Sequence, residues 1–199
     1  RKVFLTEAGH ELAQTARAIA GEWERFGQQV SAMKGLTRGR LSVAVVSTAK
    51  YFIPRLLGGF CEQHPSIDIA LEVLNRDGVV QRLRENMDDL YIMSMPPADM
   101  DLSDDIFMTN PIVVVGSADD ALASRSAIPL DALRSHRFIL RERGSGTRMA
   151  ADQHFRSLRF RPDIRLELGS NEAIKEAVAG GLGIAVLSRH ALQGLEDGH

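Results

Sequence analysis

The sequence predicts an α/β protein made of two small units behind one long helix, and three observations carry that reading. Apolar residues repeat in heptad spacing from Leu12 to Met33. Short apolar runs at 41–46, 67–74 and 90–93 alternate with helical stretches in βαβαβ order. After a Ser-Met-Pro-Pro break at 94–97, a second series of short strands and helices begins.

The long helix is predicted over 6–33. Thr6 suits an N-cap and Glu7 the positive end of the dipole, while Gly35, Arg38 and Gly39 mark the exit. Its apolar positions are Leu12, Ala16, Ile19, Trp23, Phe26, Val30 and Met33, spaced alternately by four and three. Strict two-per-seven spacing is the signature of a coiled-coil seam and asks for a partner helix. A rod of ~40 Å exceeds what one small unit needs, so dimerisation or linkage is the better reading than a helix lying on its own domain.

The first unit then reads as a strand at 41–46, a helix from near Tyr51 to Phe60, a strand at 67–74, a helix at 77–86 and a strand at 90–93. Pro54 fits only in the first helical turn, and His64-Pro65 ends that helix. This order implies parallel strands with right-handed crossovers. Residues 94–99 are the predicted hinge. The second unit is predicted as a strand pair at 106–108 and 111–116, a short helix at 130–133, and strands at 138–140, 164–168 and 184–187, with helices at 147–158 and 172–179 between them.

The composition narrows the function classes. The 199 residues are 44% hydrophobic and 25% charged, ordinary for a globular protein, which excludes a disordered tail or a disulfide scaffold. Lys plus Arg number 24 against 26 Asp plus Glu, a net charge of −2, so the chain lacks the positive field of non-specific DNA binding. No apolar run approaches the ~18 residues of a membrane helix, and no stretch of the given sequence reads as a signal peptide. A single Cys61 cannot close an internal disulfide and leans toward a cytosolic setting.

Three turns place small hydroxyl or amide residues where a strand gives way to a helix: Ser47-Thr48, Gly144-Ser145-Gly146-Thr147-Arg148 and Ser170-Asn171. Helix starts offer unpaired N–H groups and a positive dipole end, and in open parallel sheets they lie where ligands bind. Each alone reads more readily as an ordinary cap than as a ligand site. Together, on two units joined by a Pro-Pro hinge, they point to a ligand cleft between the halves, with Ser47, Thr48, Ser145, Thr147 and Arg148 holding a small anionic, phosphorylated metabolite. Arg141, Arg143 and Arg148 around the glycine loop read either as surface charge or as anion binders.

Catalytic chemistry finds little support. Gly144-Ser145-Gly146 follows a strand, and Glu167 lies about 20 residues on, but Met149 stands where a dinucleotide fingerprint needs its third glycine. No phosphate-loop motif and no zinc spacing occur. Cys61 is expected as a buried or half-buried inert thiol, and Asp88-Asp89 and Asp104-Asp105 as solvated loop carboxylates. No enzymatic activity, cofactor or metal is expected.

Several motifs together resemble the LysR-type transcriptional regulators. Arg1-Lys-Val-Phe-Leu-Thr-Glu-Ala-Gly9 is similar to the wing end and linker-helix start of that family. Gly39-Arg40-Leu41, Ile53-Pro54-Arg-Leu-Leu57, Phe60 and His64-Pro65 look like the opening of its effector domain, and Gly180-Gly-Leu-Gly-Ile184-Ala-Val-Leu187 like its late helix–glycine–strand signature. Gly144-Ser-Gly-Thr-Arg148 and Met93-Ser-Met-Pro-Pro97 look most like regulators of carbon-fixation operons. The resemblance implies two Rossmann-like subdomains of periplasmic-binding-protein type: 1–36 as the end of a winged helix-turn-helix plus the linker helix, 37–95 as subdomain I and 96–199 as subdomain II. It also implies a cytoplasmic homodimer or homotetramer, promoter DNA bound through a domain before Arg1, and effector contacts at Ser47, Thr48, Ser94, Ser145, Thr147 and Asn171. The chain stops at Glu196-Asp-Gly-His199, before the strand and helix that return to subdomain I in that family. Because the DNA-binding helices of that family would lie before Arg1, this stretch alone is expected not to read DNA. The rival classes are a transport solute-binding protein, disfavoured by the heptad helix, and a nucleotide-dependent enzyme, disfavoured by Met149.

Overall fold

The computed structural model describes residues 4–33, 38–125 and 127–192. The proposed exit glycine Gly35, the Arg1-Lys2-Val3 segment and the terminal Glu196–His199 lie outside the described residues. The chain forms two compact units, Arg1–Pro96 and Pro97–His199.

Helix α1 spans Glu7–Met33. Thr6 caps it, its Oγ1 accepting the Gly9 N–H at 3.1 Å. The heptad positions lie on the outside: Leu12, Ile19, Trp23 and Phe26 are exposed, Trp23 by 74%. Ala16 is also exposed and Val30 half-buried, while the side chain of Met33 lies outside the described residues. On another face Arg17 reaches Glu85 at 3.8 Å. The helix therefore touches its own unit through polar groups and leaves its apolar stripe open.

The first unit holds a three-stranded sheet of β1 (Gly39–Val46), β2 (Ile67–Leu74) and β3 (Leu90–Ile92), ordered β2-β1-β3. Both pairings are parallel, as the βαβαβ order requires. Helix α2 (Ile53–Gln63) and helix α3 (Arg76–Arg84) make the crossovers. Val43 and Val45 point to one face and pack with Ala49, Ile53, Leu57, Ile69 and Leu71. Two expectations need correction. The chain leaves β1 in a five-residue 3-10 helix, Ser47–Tyr51, and α2 starts only at Ile53 with Pro54 in its first turn. Cys61 is exposed, because it falls on the solvent side of α2.

The second unit is a four-stranded sheet, β4-β7-β5-β6, built from β4 (Ile112–Val115), β5 (Arg137–Arg141), β6 (Asp163–Leu168) and β7 (Ile184–Ser188). β5 runs parallel to β6 and β7, while β4 is antiparallel to β7. Alternation sorts its core cleanly. Phe138, Leu140, Ile184 and Val186 face helix α4 (Gly146–Ser157), with Phe155 and Phe160 edge-on to Phe138. Ile139, Ala185 and Leu187 face helix α5 (Asn171–Ala179), meeting Ile174 and Val178. Each fully buried Phe, Leu or Ile contributes roughly 1.5–3 kcal/mol of transfer free energy.

One predicted strand is absent. Residues 106–108 are irregular, with Ile106 exposed by 92% and Phe107 and Met108 also exposed. An apolar triplet becomes a strand only with a ladder partner, and none lies alongside among the described residues. The next three residues are fixed instead by the end of β7: the Arg189 N–H donates to the Pro111 carbonyl, Ser188 Oγ pairs with Asn110 Oδ1, and the His190 ring meets the Thr109 carbonyl. The expected short helix at 130–133 is a single 3-10 turn, Leu130–Leu133.

Gly183 opens β7 at φ 148°, and a Cβ there would collide with the Arg137 carbonyl. The glycine thus lets β7 lie against β5, which gives the Gly-Leu-Gly signature a steric cause.

Candidate functional site

In the second unit, β5 and β6 end side by side and hand the chain to α4 and α5. Ser145 is the N-cap of α4, with extended φ, ψ of −86° and 135°, and its carbonyl accepts the Met149 N–H at 3.0 Å. Its side chain makes no capping bond. Ser170, the N-cap of α5, does cap, accepting the Ala173 N–H at 3.3 Å. Ser145 and Thr147 are buried hydroxyls at a helix start whose first N–H groups, from Gly146, Thr147 and Arg148, have no partner within the helix. That turn presents hydroxyls, N–H donors and the positive end of a twelve-residue helix dipole in one place.

Arg141 and Arg148 are not surface charge: both are buried, and only Arg143 is exposed. Arg148 Nε lies 3.0 Å from both oxygens of Asp152, and its Nη1 donates to the Arg141 carbonyl at 2.8 Å and reaches Glu167 at 3.1 Å. Burial opposes this guanidinium charge, but the bonds to Asp152 and Glu167 outweigh it, and the Arg148 pKa sits above the ordinary arginine value. Glu167, which could have served a ribose, is engaged by Arg148. Arg141 grips both Glu142 oxygens, at 2.8 and 3.0 Å, and donates from Nη1 to Asn171 Oδ1 at 2.6 Å. Asn171 is itself buried, and its Nδ2 has no hydrogen-bond partner.

In the first unit, Ser47 and Thr48 leave β1 and Ser94 follows β3, the adjacent parallel strand, so all three lie at the carboxyl edge of that sheet. Thr48 is buried; Ser47 and Ser94 are half-buried. Met95, next to Ser94, is held at φ 52° while its carbonyl takes two bonds from Arg76, at 3.1 and 2.7 Å. Sequence reasoning missed Arg76. The signal was available: an arginine in the first turn of α3 stands at the wrong end of the dipole and needs another reason to be there.

Asp88 corrects a further expectation. It is buried rather than solvated, taking two bonds from Arg82 at 2.7 and 2.8 Å, while its N–H donates to the Tyr91 hydroxyl at 2.7 Å. Its hydrogen bond raises the Arg82 pKa, and burial raises that of Tyr91. Asp89 accepts the Ser42 N–H at 2.8 Å, and Asp104 and Asp105 are exposed. Among the described residues no group of three His, Cys, Asp or Glu could hold a metal ion, and no helix is long and apolar enough to cross a membrane.

Two mixed α/β units, with polar turns gathered at the carboxyl edges of their sheets, define a ligand-binding domain of periplasmic-binding-protein type. The chain belongs to the LysR substrate binding domain family, which matches residues 34–199. It is 46% identical to the RuBisCO operon transcriptional regulator of Acidithiobacillus ferrooxidans over 97% of its own length and 62% of that protein. It is 41% identical to the HTH-type transcriptional activator CmpR of Synechocystis, over 96% of its length and 63% of CmpR. The chain thus spans a little over three fifths of these relatives. The regulatory domain of Synechocystis CcmR, solved in complex with 2-PG, superposes with a TM-score of 0.77 at 51% identity, covering 79% of this chain and 76% of that one.

Proposed function

We propose that this chain is the effector-sensing and dimerisation part of a cytoplasmic bacterial transcriptional regulator, and that its effector is a small phosphorylated carboxylate such as 2-phosphoglycolate. The observation that carries the reading is the start of α4, where the Ser145 and Thr147 hydroxyls join three N–H groups that have no partner within the helix and no capping side chain, at the positive end of the helix dipole. The 2-PG bound to CcmR, at 51% identity, supports the same chemistry. The proposed effector contacts of the second unit are Ser145, Thr147 and Asn171, and the candidates of the first unit are Ser47, Thr48 and Ser94. Arg148 takes part only through Nη2, since its Nε and Nη1 are committed to Asp152, Glu167 and the Arg141 carbonyl. A neutral aromatic would leave these donors dry and unpaired at ~1–3 kcal/mol each. Calorimetry with 2-phosphoglycolate, sugar phosphates, carboxylates and neutral aromatics tests the assignment. Preference for the phosphorylated acid is expected, and tightest binding by the aromatics would refute it.

Dimerisation falls to α1, where Leu12, Ala16, Ile19, Trp23, Phe26, Val30 and Met33 form the seam. The exposure of Leu12, Ile19, Trp23 and Phe26 in a single chain supports it. Replacing Ile19, Trp23 and Phe26 together by polar residues is expected to dissociate the assembly in sedimentation, and an unchanged mass would count against it. Promoter DNA is bound through a helix-turn-helix before Arg1, a reading that the names of the relatives support.

A further inference from the structure

Asn171 is the first residue of α5 and only 3% exposed. Its amide is not spent on capping, since Ser170 supplies that bond to Ala173. What fixes its direction is Arg141. A guanidinium carries donors and no acceptor, so the atom 2.6 Å from Arg141 Nη1 must be the amide oxygen, because the reverse orientation would set donor against donor. Arg141, itself 1% exposed, is in turn held on both oxygens of Glu142 and has no rotamer to give away. The Asn171 nitrogen therefore faces away from Arg141 with two N–H donors, buried and unpaired. A buried donor left in this state is rare in folded proteins and asks for an acceptor.

We infer that Arg141 is a positioning residue that makes Asn171 an obligate donor, and that the effector group at Asn171 is an anionic oxygen of its phosphate or carboxylate. The inference rests on the effector reading above and extends it. Arg141 itself does not meet the effector. Its charge is answered by Glu142, so it supplies direction to Asn171 rather than attraction to the ligand.

The decisive variant is Asn171→Asp. It keeps the size of the side chain and an acceptor for Arg141, and it turns the donor into a carboxylate oxygen. The 199-residue chain is titrated by calorimetry with 2-phosphoglycolate, inorganic phosphate and glycolate, alongside thermal melting. Asn171→Asp is expected to weaken 2-phosphoglycolate at least tenfold with an undiminished melting temperature. Arg141→Lys, which keeps the charge but releases the amide, is expected to weaken it severalfold, and the double variant no further than Asn171→Asp alone. Wild-type affinity in Asn171→Asp would overturn the donor role, and additive losses in the double variant would overturn the positioning role. Either result leaves the effector reading standing. If the wild type binds none of the three probes, the effector reading itself fails and takes this inference with it.

Discussion

β1 ends at Val46 and passes the chain to Ser47, Thr48 and Ala49; β5 ends at Arg141 and passes it, after four intervening residues, to Gly146, Thr147 and Arg148. Both exits are rich in small hydroxyl residues, yet they build different surfaces. The first curls into a 3-10 helix of five residues, and the α2 that follows carries a proline in its first turn, which removes one N–H. The second runs straight into twelve residues of α-helix with its first donors unpaired. The first unit can offer hydroxyls; the second can offer hydroxyls, N–H groups and a dipole. Where buried charge is spent differs as well. In the first unit Arg82 and Asp88 brace the connection between α3 and β3, away from the strand ends that carry the hydroxyls. In the second, Arg141 and Arg148 brace the turn itself. A hydroxyl beside a strand end is therefore not enough to mark an anion site: the length of the helix that follows, and what anchors it, decide.

The largest expected effect tests the bracing of the first unit. Asp88→Ala leaves Arg82 without its partner and is expected to cost about 3 kcal/mol in urea denaturation. A cost under ~1 kcal/mol would mean that solvent answers Arg82 as well as Asp88 does. Next comes the frame of the second unit. Gly183→Ala forces a side chain onto the Arg137 carbonyl at positive φ and is expected to cost about 2–3 kcal/mol, whereas Gly181→Ala, at φ 72° in open space, is expected to cost about 1 kcal/mol. Equal losses would remove the steric account of β7 against β5. The smallest effect sharpens the contrast between the exits. Thr147→Ala is expected to lose about one neutral hydrogen bond, ~1 kcal/mol or roughly fivefold in 2-phosphoglycolate affinity, and Thr48→Ala less. Calorimetry that ranks the two the other way would move the weight of recognition to the first unit.

Periodicity made most of this architecture legible. The heptad of α1, the alternation that splits Phe138 and Leu140 from Ile139, and the parallel order of β1 to β3 all follow from spacing. The apolar triplet at 106–108 misled because hydrophobicity cannot say whether a ladder partner exists. At the site, the residue types were visible and their commitments were not. Arg148 finds Glu167 across 19 positions and Arg141 finds Asn171 across 30, and no local pattern links such pairs. Ser145 and Ser170 likewise look alike in sequence, and only the geometry shows that one caps its helix and the other does not.

The exposed stripe of α1 has an optical consequence. The chain contains one tryptophan, Trp23, and it sits in the middle of that stripe beside Phe26, ring centroids 5.8 Å apart. Its emission therefore responds directly to what covers the helix and hardly at all to events within either sheet. Dilution through the association range should shift the fluorescence to the red as the indole returns to water. The single tryptophan is thus a built-in, label-free test of the proposed seam, and an emission that does not change with concentration would count against it.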